Sequence, residues 1–137
     1  MSLTTLGMKI FAKMSPDDAH RLAINLLRFR LFPKNKISSK DPILEQEVFG
    51  INFSNPIGLA AGFDKNAEAF ESILALGCGF VEVGSFTPRQ QFGNPKPRAF
   101  LLLEDEAAIS RHGFNNDALA KGLRRLAVRK KKLGLVG

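Results

Sequence analysis

The chain has 137 residues, a formal net charge of +7 and a single cysteine, Cys78. One cysteine excludes an internal disulfide and any multi-cysteine metal site, and it fits a reducing compartment. No run approaches the roughly 20 apolar residues of a transmembrane helix, and no signal-peptide core with a small-residue cleavage site is present.

The charge is uneven. Residues 1–40 hold eight Lys/Arg against two Asp, residues 41–100 four against seven Asp/Glu, and residues 101–137 eight against four. Leu3, Leu6, Ile10 and Met14 recur at helical spacing and predict a first short amphipathic helix. Ser15-Pro16-Asp17-Asp18 is a helix start, with a capping hydroxyl, proline at the first position and acids in the first turn. The helix it opens carries the stripe Ala19, Leu22, Ala23, Leu26 and Leu27, with Arg21, Arg28 and Arg30 among them, and Pro33 is expected to end it. Residues 1–33 therefore form an amphipathic helical leader. Two such helices with basic flanks either lie in a membrane interface, where cations meet anionic headgroups, or pack as a hairpin on a core.

Residues 34–47 read as a polar linker containing Ser38, Ser39 and Pro42, and Val48–Phe53 as a short hairpin around Gly50. A strand follows over 56–61, then a helix over about 67–76 with Gly77 as its C-cap. Phe80–Val83 is a second strand, a buried run apart from Glu82. Residues 86–113 are too long for an ordinary strand-to-helix connection. A helix is predicted over 117–132, and Leu133–Gly137 reads as the start of another apolar strand. The basic cluster Lys121, Arg124, Arg125 and Arg129–Lys132 has no interleaved aromatic residues. It reads as a solvated outer helix, so no nucleic-acid partner is expected. Cys78, at the entry to the second strand, reads as a small buried hydrophobe and not as a nucleophile.

Asn55–Lys65 is the segment with chemical content. Ile57 and Leu59 alternate into the small residues Gly58, Ala60, Ala61 and Gly62, and the run ends on Asp64 and Lys65. Small residues at a strand end let a flat ring lie against the backbone, and a lysine just beyond can meet negative charge developing on that ring. The competing reading is a tight strand-to-helix turn packed for space, with Lys65 simply solvated.

Asn55–Lys65, Val81–Pro88, Gly93–Arg98 and Gly113–Asn116, in that order, resemble successive signatures of dihydroorotate dehydrogenase. The leader resembles that of the membrane-associated, quinone-reducing class. The resemblance is weak over residues 1–40 and strong over 48–117. It implies an α/β fold, the N-terminal portion of a (β/α)8 barrel preceded by two amphipathic helices. Such barrels typically need about 250 residues, so residues 48–137 are expected to be the first part of a flavin-binding barrel, incomplete as given. The 48–53 hairpin would close the barrel's bottom. The 86–113 excursion would stand above the C-terminal strand ends, where barrels place their sites.

The resemblance also implies the reaction: dihydroorotate loses a proton to a base and a hydride to FMN, and the electrons pass on to quinone, in UMP biosynthesis. Ala61, Gly62, Phe63, Asp64 and Lys65 match the first flavin-contacting segment, and Lys65 also matches the lysine that reaches the orotate carboxylate. Ser85 matches a flavin-contacting position where threonine is more usual. Ser110, Arg111, His112, Gly113 and Phe114 match the segment that wraps the substrate. Ser110 departs from the usual asparagine there and offers one hydroxyl in place of an amide. His112 falls at a position of variable type and is expected to have no catalytic task.

Two positions match the quinone site. His20 matches a histidine near the quinone tunnel, and Leu101 stands where that class usually has an arginine. The leader is expected to dock on an anionic membrane surface, at the cytoplasmic face of a bacterial inner membrane or at a mitochondrial inner membrane. The family's catalytic base and flavin phosphate site lie beyond Gly137, so no catalytic residue and no metal site are expected in these 137 residues. The chain alone is expected to be inactive. The alternative is a non-catalytic chain that only associates with lipid through its basic leader.

Overall fold

The computed structural model describes residues 13–31, 41–129 and 134–137. The first predicted helix lies almost wholly outside them. Helix α1 spans Pro16–Arg28 and starts as its sequence dictates: the Asp18 amide donates to Ser15 Oγ at 3.2 Å, and Asp17 and Asp18 fill the positive end of the helix. Its buried face centres on Ile24, with Leu27 beside it. The helix ends well before Pro33. Arg30 takes a left-handed φ of 57°, Leu31 N–H donates to Leu26 O at 2.8 Å and Arg30 N–H to Leu27 O at 3.0 Å, a Schellman ending.

A short 3₁₀ turn, Pro42–Leu44, is capped by Asp41 and leads into β1, Gln46–Val48, two residues earlier than the linker boundary predicted. β2 is Ile51–Phe53, and Val48 pairs with Ile51 across a two-residue turn. Phe49 and Gly50 both have positive φ, 52° and 73°, which the tight hairpin turn requires. The Phe53 ring meets Phe80 edge-on at 5.5 Å, so the hairpin plugs the N-terminal end of the strands that follow.

Those strands are parallel. β3 (Gly58–Leu59), β4 (Phe80–Val81) and β7 (Leu135–Val136) form one sheet in the order β3-β4-β7. Ladder bonds run past the strand limits, from Gly79 N–H to Ile57 O and from Glu82 N–H to Leu59 O. This is why longer strands were legible in the sequence. Val81, in the middle strand, is fully buried. Gly58 is required by packing, since a Cβ there would stand 2.2 Å from the Phe80 ring.

Helix α2 (Phe70–Ala75) crosses from β3 to β4, and α3 (Leu119–Ala127) precedes β7. The core is Ile24, Ala67, Ala69, Phe70, Ile73, Leu74 and Val81, so α1 and α2 share one apolar centre with the sheet. Both later helices are shorter than predicted at their starts. Ala67 (φ 54°) and Ala118 (φ 81°) sit in left-handed backbone that no helix continues through. Gly77, at φ 110°, ends α2 as expected. Within 86–113 the sequence showed only an excursion. The structure adds an antiparallel hairpin, β5 (Ala99–Leu102) with β6 (Ala107–Ser110). β6 is exposed on both faces, so no apolar alternation marks it.

The turn after β3 is held by Asp64, which is fully buried. Its Oδ1 accepts from Glu68 N–H and its Oδ2 from Ala69 N–H, both at 2.7 Å, and its carbonyl accepts from Gly84 N–H at 3.1 Å. Removing a carboxyl that serves buried donors costs the bonds and leaves the donors unpaired. Asp64→Ala is expected to lower the unfolding free energy by about 2–4 kcal/mol in urea denaturation; a loss below about 0.5 kcal/mol would contradict this role.

Candidate functional site

A cavity of about 570 Å³ opens at the C-terminal ends of β3 and β4. Its first wall is the chain after β3. Ala61, Gly62, Phe63 and Lys65 line it. Gly62 N–H donates to Gly84 O at 2.9 Å, which ties this wall to the end of β4. Gly62 has φ 101°, and nothing lies within 4 Å of where its Cβ would be. The backbone face is therefore open, and a side chain there would fill it. Asp64, the fifth residue matched to the flavin segment, stands behind this wall and does not line the cavity.

Lys65 Nζ turns back to donate to the Gly62 carbonyl. Burial pushes its ammonium below the ordinary lysine value and the nearby Arg98 charge adds to this, while Asp17 opposes both. The cation is thus held in the wall and not dispersed in solvent, which decides against the reading of Lys65 as merely solvated.

Gly84 and Ser85, at the end of β4, form the next side, and Ser110, His112, Gly113, Phe114 and Asn115 form the side opposite. Gly113 (φ 71°) and Phe114 (φ 55°) are consecutive left-handed residues that bend this segment over the opening. Arg111 is not on the wall. It acts as a seam: its N–H donates to Arg98 O at 2.8 Å and its Nη2 to Pro97 O at 3.0 Å.

His20 closes the floor from α1. Its Nε2 lies 2.7 Å from Phe63 O, and its ring meets the Phe63 ring edge-on at 5.3 Å. Burial pushes its pKa below 6.5, the Phe63 bond opposes this, and Lys65 lowers it further. His112 is pushed down in the same way, by burial and then Lys65. Neutral at pH 7, its Nδ1, 3.9 Å from Asp17, makes no ion pair. Leu101, in contrast, sits mid-β5 opposite Ala108, 63% exposed and off the cavity wall. Of the two quinone-site candidates, His20 lines the cavity and Leu101 does not, although helix α1 packs against β5.

Sequence reasoning missed Gly84 and Asn115 on the wall. It also missed Asn116, whose Oδ1 accepts from Ala118 N–H at 2.9 Å and from Thr87 N–H at 3.2 Å. The two asparagines were visible inside Gly113–Asn116, but adjacency could not say which faces the cavity. Cys78 is half-buried with its thiol pushed up by burial, as a small hydrophobe would be. No group of three His, Cys, Asp or Glu able to hold a metal occurs among the described residues.

An open glycine face, a wall-held lysine and the Ser85 hydroxyl suit a flat, electron-accepting ring. A family model, dihydroorotate dehydrogenase, matches residues 43–135. The chain belongs to the dihydroorotate dehydrogenase family. It is 54% identical over 132 residues to the dihydroorotate dehydrogenase (quinone) of Bradyrhizobium diazoefficiens, covering 96% of this chain and 36% of that protein. The same-named protein of Rhodopseudomonas palustris strain TIE-1 is 56% identical over 132 residues, with the same coverage. The Eimeria tenella dihydroorotate dehydrogenase solved with ferulenol superposes with a TM-score of 0.80 at 41% identity, over 89% of this chain and 34% of that one. The chain thus spans about a third of the relatives' length. Its two βα units are the expected portion of that family's barrel, with an open sheet among the described residues.

The two histidines set a pH dependence. Both have folded pKa values below their ordinary 6.5, so between those values and 6.5 the unfolded chain binds more protons. Stability is therefore full above pH 6.5 and falls as pH drops through the folded values. Asp17, Asp18 and Glu68, also lowered, keep their full contribution in this window and lose it only as pH falls below their ordinary 3.8, 3.8 and 4.5. Between pH 7 and 5 the unfolding free energy is expected to fall, and the double variant H20Q/H112Q to flatten that slope; an unchanged slope in the double variant would contradict the assignment.

Proposed function

We propose that this chain forms the N-terminal part of a quinone-dependent dihydroorotate dehydrogenase that oxidises dihydroorotate to orotate with FMN in pyrimidine biosynthesis. The observation that carries this reading is the convergence of Ala61–Phe63, Lys65, Ser85, Ser110 and His112–Asn115 on one cavity in a chain of this family. FMN, when bound, supplies the hydride acceptor and the route for electrons to quinone.

The residues of this chain have more limited tasks. The open backbone at Gly62 leaves room for a ring to lie flat, and Ser85 offers one hydroxyl beside it. Lys65 stands where an ammonium would stabilise negative charge on ring and carboxylate. Ser110, with Gly113 and Phe114, forms the lip over the substrate. We assign the base to no residue of this chain, and His20 is occupied with Phe63 O.

The leader supports docking at an anionic membrane surface. Phe29 and Leu31 are exposed apolar residues beside Arg28 and Arg30 at the end of α1, the composition of an interfacial segment. No helix among the described residues is long and apolar enough to cross a membrane. The proposed location is the cytoplasmic face of a bacterial inner membrane or a mitochondrial inner membrane. On α3, Arg125 bonds Asn66 O at 2.8 Å and Asp117 at 3.0 Å, which suits a packed outer helix and not a nucleic-acid surface.

The test joins this chain to the remaining two thirds of the Bradyrhizobium relative. The chimera is expected to oxidise dihydroorotate with a short-chain quinone, and Lys65→Ala to lower kcat/KM by about 10²–10³-fold. The 137-residue chain alone is expected to give no flavin reduction above background. A chimera that binds FMN but is not reduced by dihydroorotate would overturn the proposal.

A further inference from the structure

Helix α1 touches both walls of the cavity, and it does so through two residues one turn apart. His20 holds the first wall through the Phe63 carbonyl. Asp17 reaches the other: its Oδ1 accepts from Arg98 Nε at 2.7 Å, with only 8% and 14% of the two side chains exposed. Burial pushes the Asp17 carboxyl up, but the bonded Arg98 guanidinium more than reverses this and holds it below the usual carboxylate value.

Arg98 is the hub of the second wall. Its Nη1 donates to Phe92 O at 2.9 Å, and its carbonyl accepts the Arg111 N–H. Asn94 completes the seam, giving its N–H to His112 O at 3.0 Å and its side-chain amide to Arg111 O at 2.6 Å. The 92–98 stretch and the 110–113 stretch are thereby sewn together around one guanidinium. That guanidinium is fixed from outside by a carboxylate of the leader.

We propose that Asp17 is a positioning residue: by holding Arg98 it sets the 110–113 wall, and with His20 it makes α1 a strut that aligns that wall with the 62–65 wall. A helix that needed only to dock could use exposed pairs, such as Lys96–Asp18 at 3.3 Å, which contribute little and impose little geometry. The part-buried Asp17–Arg98 pair gives up more solvation and holds a closer geometry, a cost tolerated where that geometry is wanted. The pair accepts the cost at the point where the leader meets the hub. The leader is then part of the site and not an appendage to it. This rests on the cavity being the site proposed above, but its test needs neither flavin nor substrate.

The test is amide hydrogen exchange on the 137-residue chain. Asp17→Asn is expected to speed exchange at Arg111 and Asn94 by about tenfold or more while Gly62 and Gly84 change less than about twofold. His20→Ala is expected to do the reverse. Asp17→Glu, which keeps the charge, is expected to restore most of the protection at Arg111 and Asn94. Unchanged exchange at Arg111 and Asn94 in Asp17→Asn would overturn the proposal. Equal loss at all four amides in both variants would also overturn it, because Asp17 would then be a docking residue only.

Discussion

The buried carboxyl of Asp64 is the constraint on which the site depends. It follows β3 and caps two amides at the entrance to α2, and its own carbonyl takes the Gly84 amide from the end of β4. Gly62 N–H returns to Gly84 O. Two strand ends and a helix start are thus locked through Gly62 and Asp64. A backbone fixed in this way can afford a glycine with an open face, because its shape is set from behind. The chemistry faces the cavity on Gly62 and Lys65 only because Asp64 does not.

That division of labour explains what could be read in the sequence. Local signals were legible: the Ser15 cap, the turn at Gly50, the Gly77 ending and the order of strands and helices. Each depends on one or two residues whose own backbone preference decides the outcome. Most of the motif residues, Ala61–Phe63, Lys65, Ser85, Ser110 and His112–Phe114, also line one cavity.

What the sequence did not show was set by tertiary context. Asp64 lies between Phe63 and Lys65, yet it faces the opposite way, and adjacency cannot distinguish a wall from its support. The left-handed backbone at Ala67 and Ala118 shortened two helices that propensity alone would extend. The β5–β6 hairpin was hidden because neither of its faces gives the chain an apolar alternation to read. Leu101 was matched by motif to a quinone site, and its position on that hairpin leaves it exposed and off the cavity wall.

The central claim is that Ala61–Phe63 with Lys65, and Ser110 with His112–Asn115, are two walls of one flavin and substrate site. A crystal structure of the chimera with FMN and orotate tests it most directly. The account predicts the ring against the open face of Gly62, with Ser85 and Lys65 in contact and orotate beneath Ser110 and Phe114. A ring bound elsewhere, or the Gly62 face covered by protein, would contradict it.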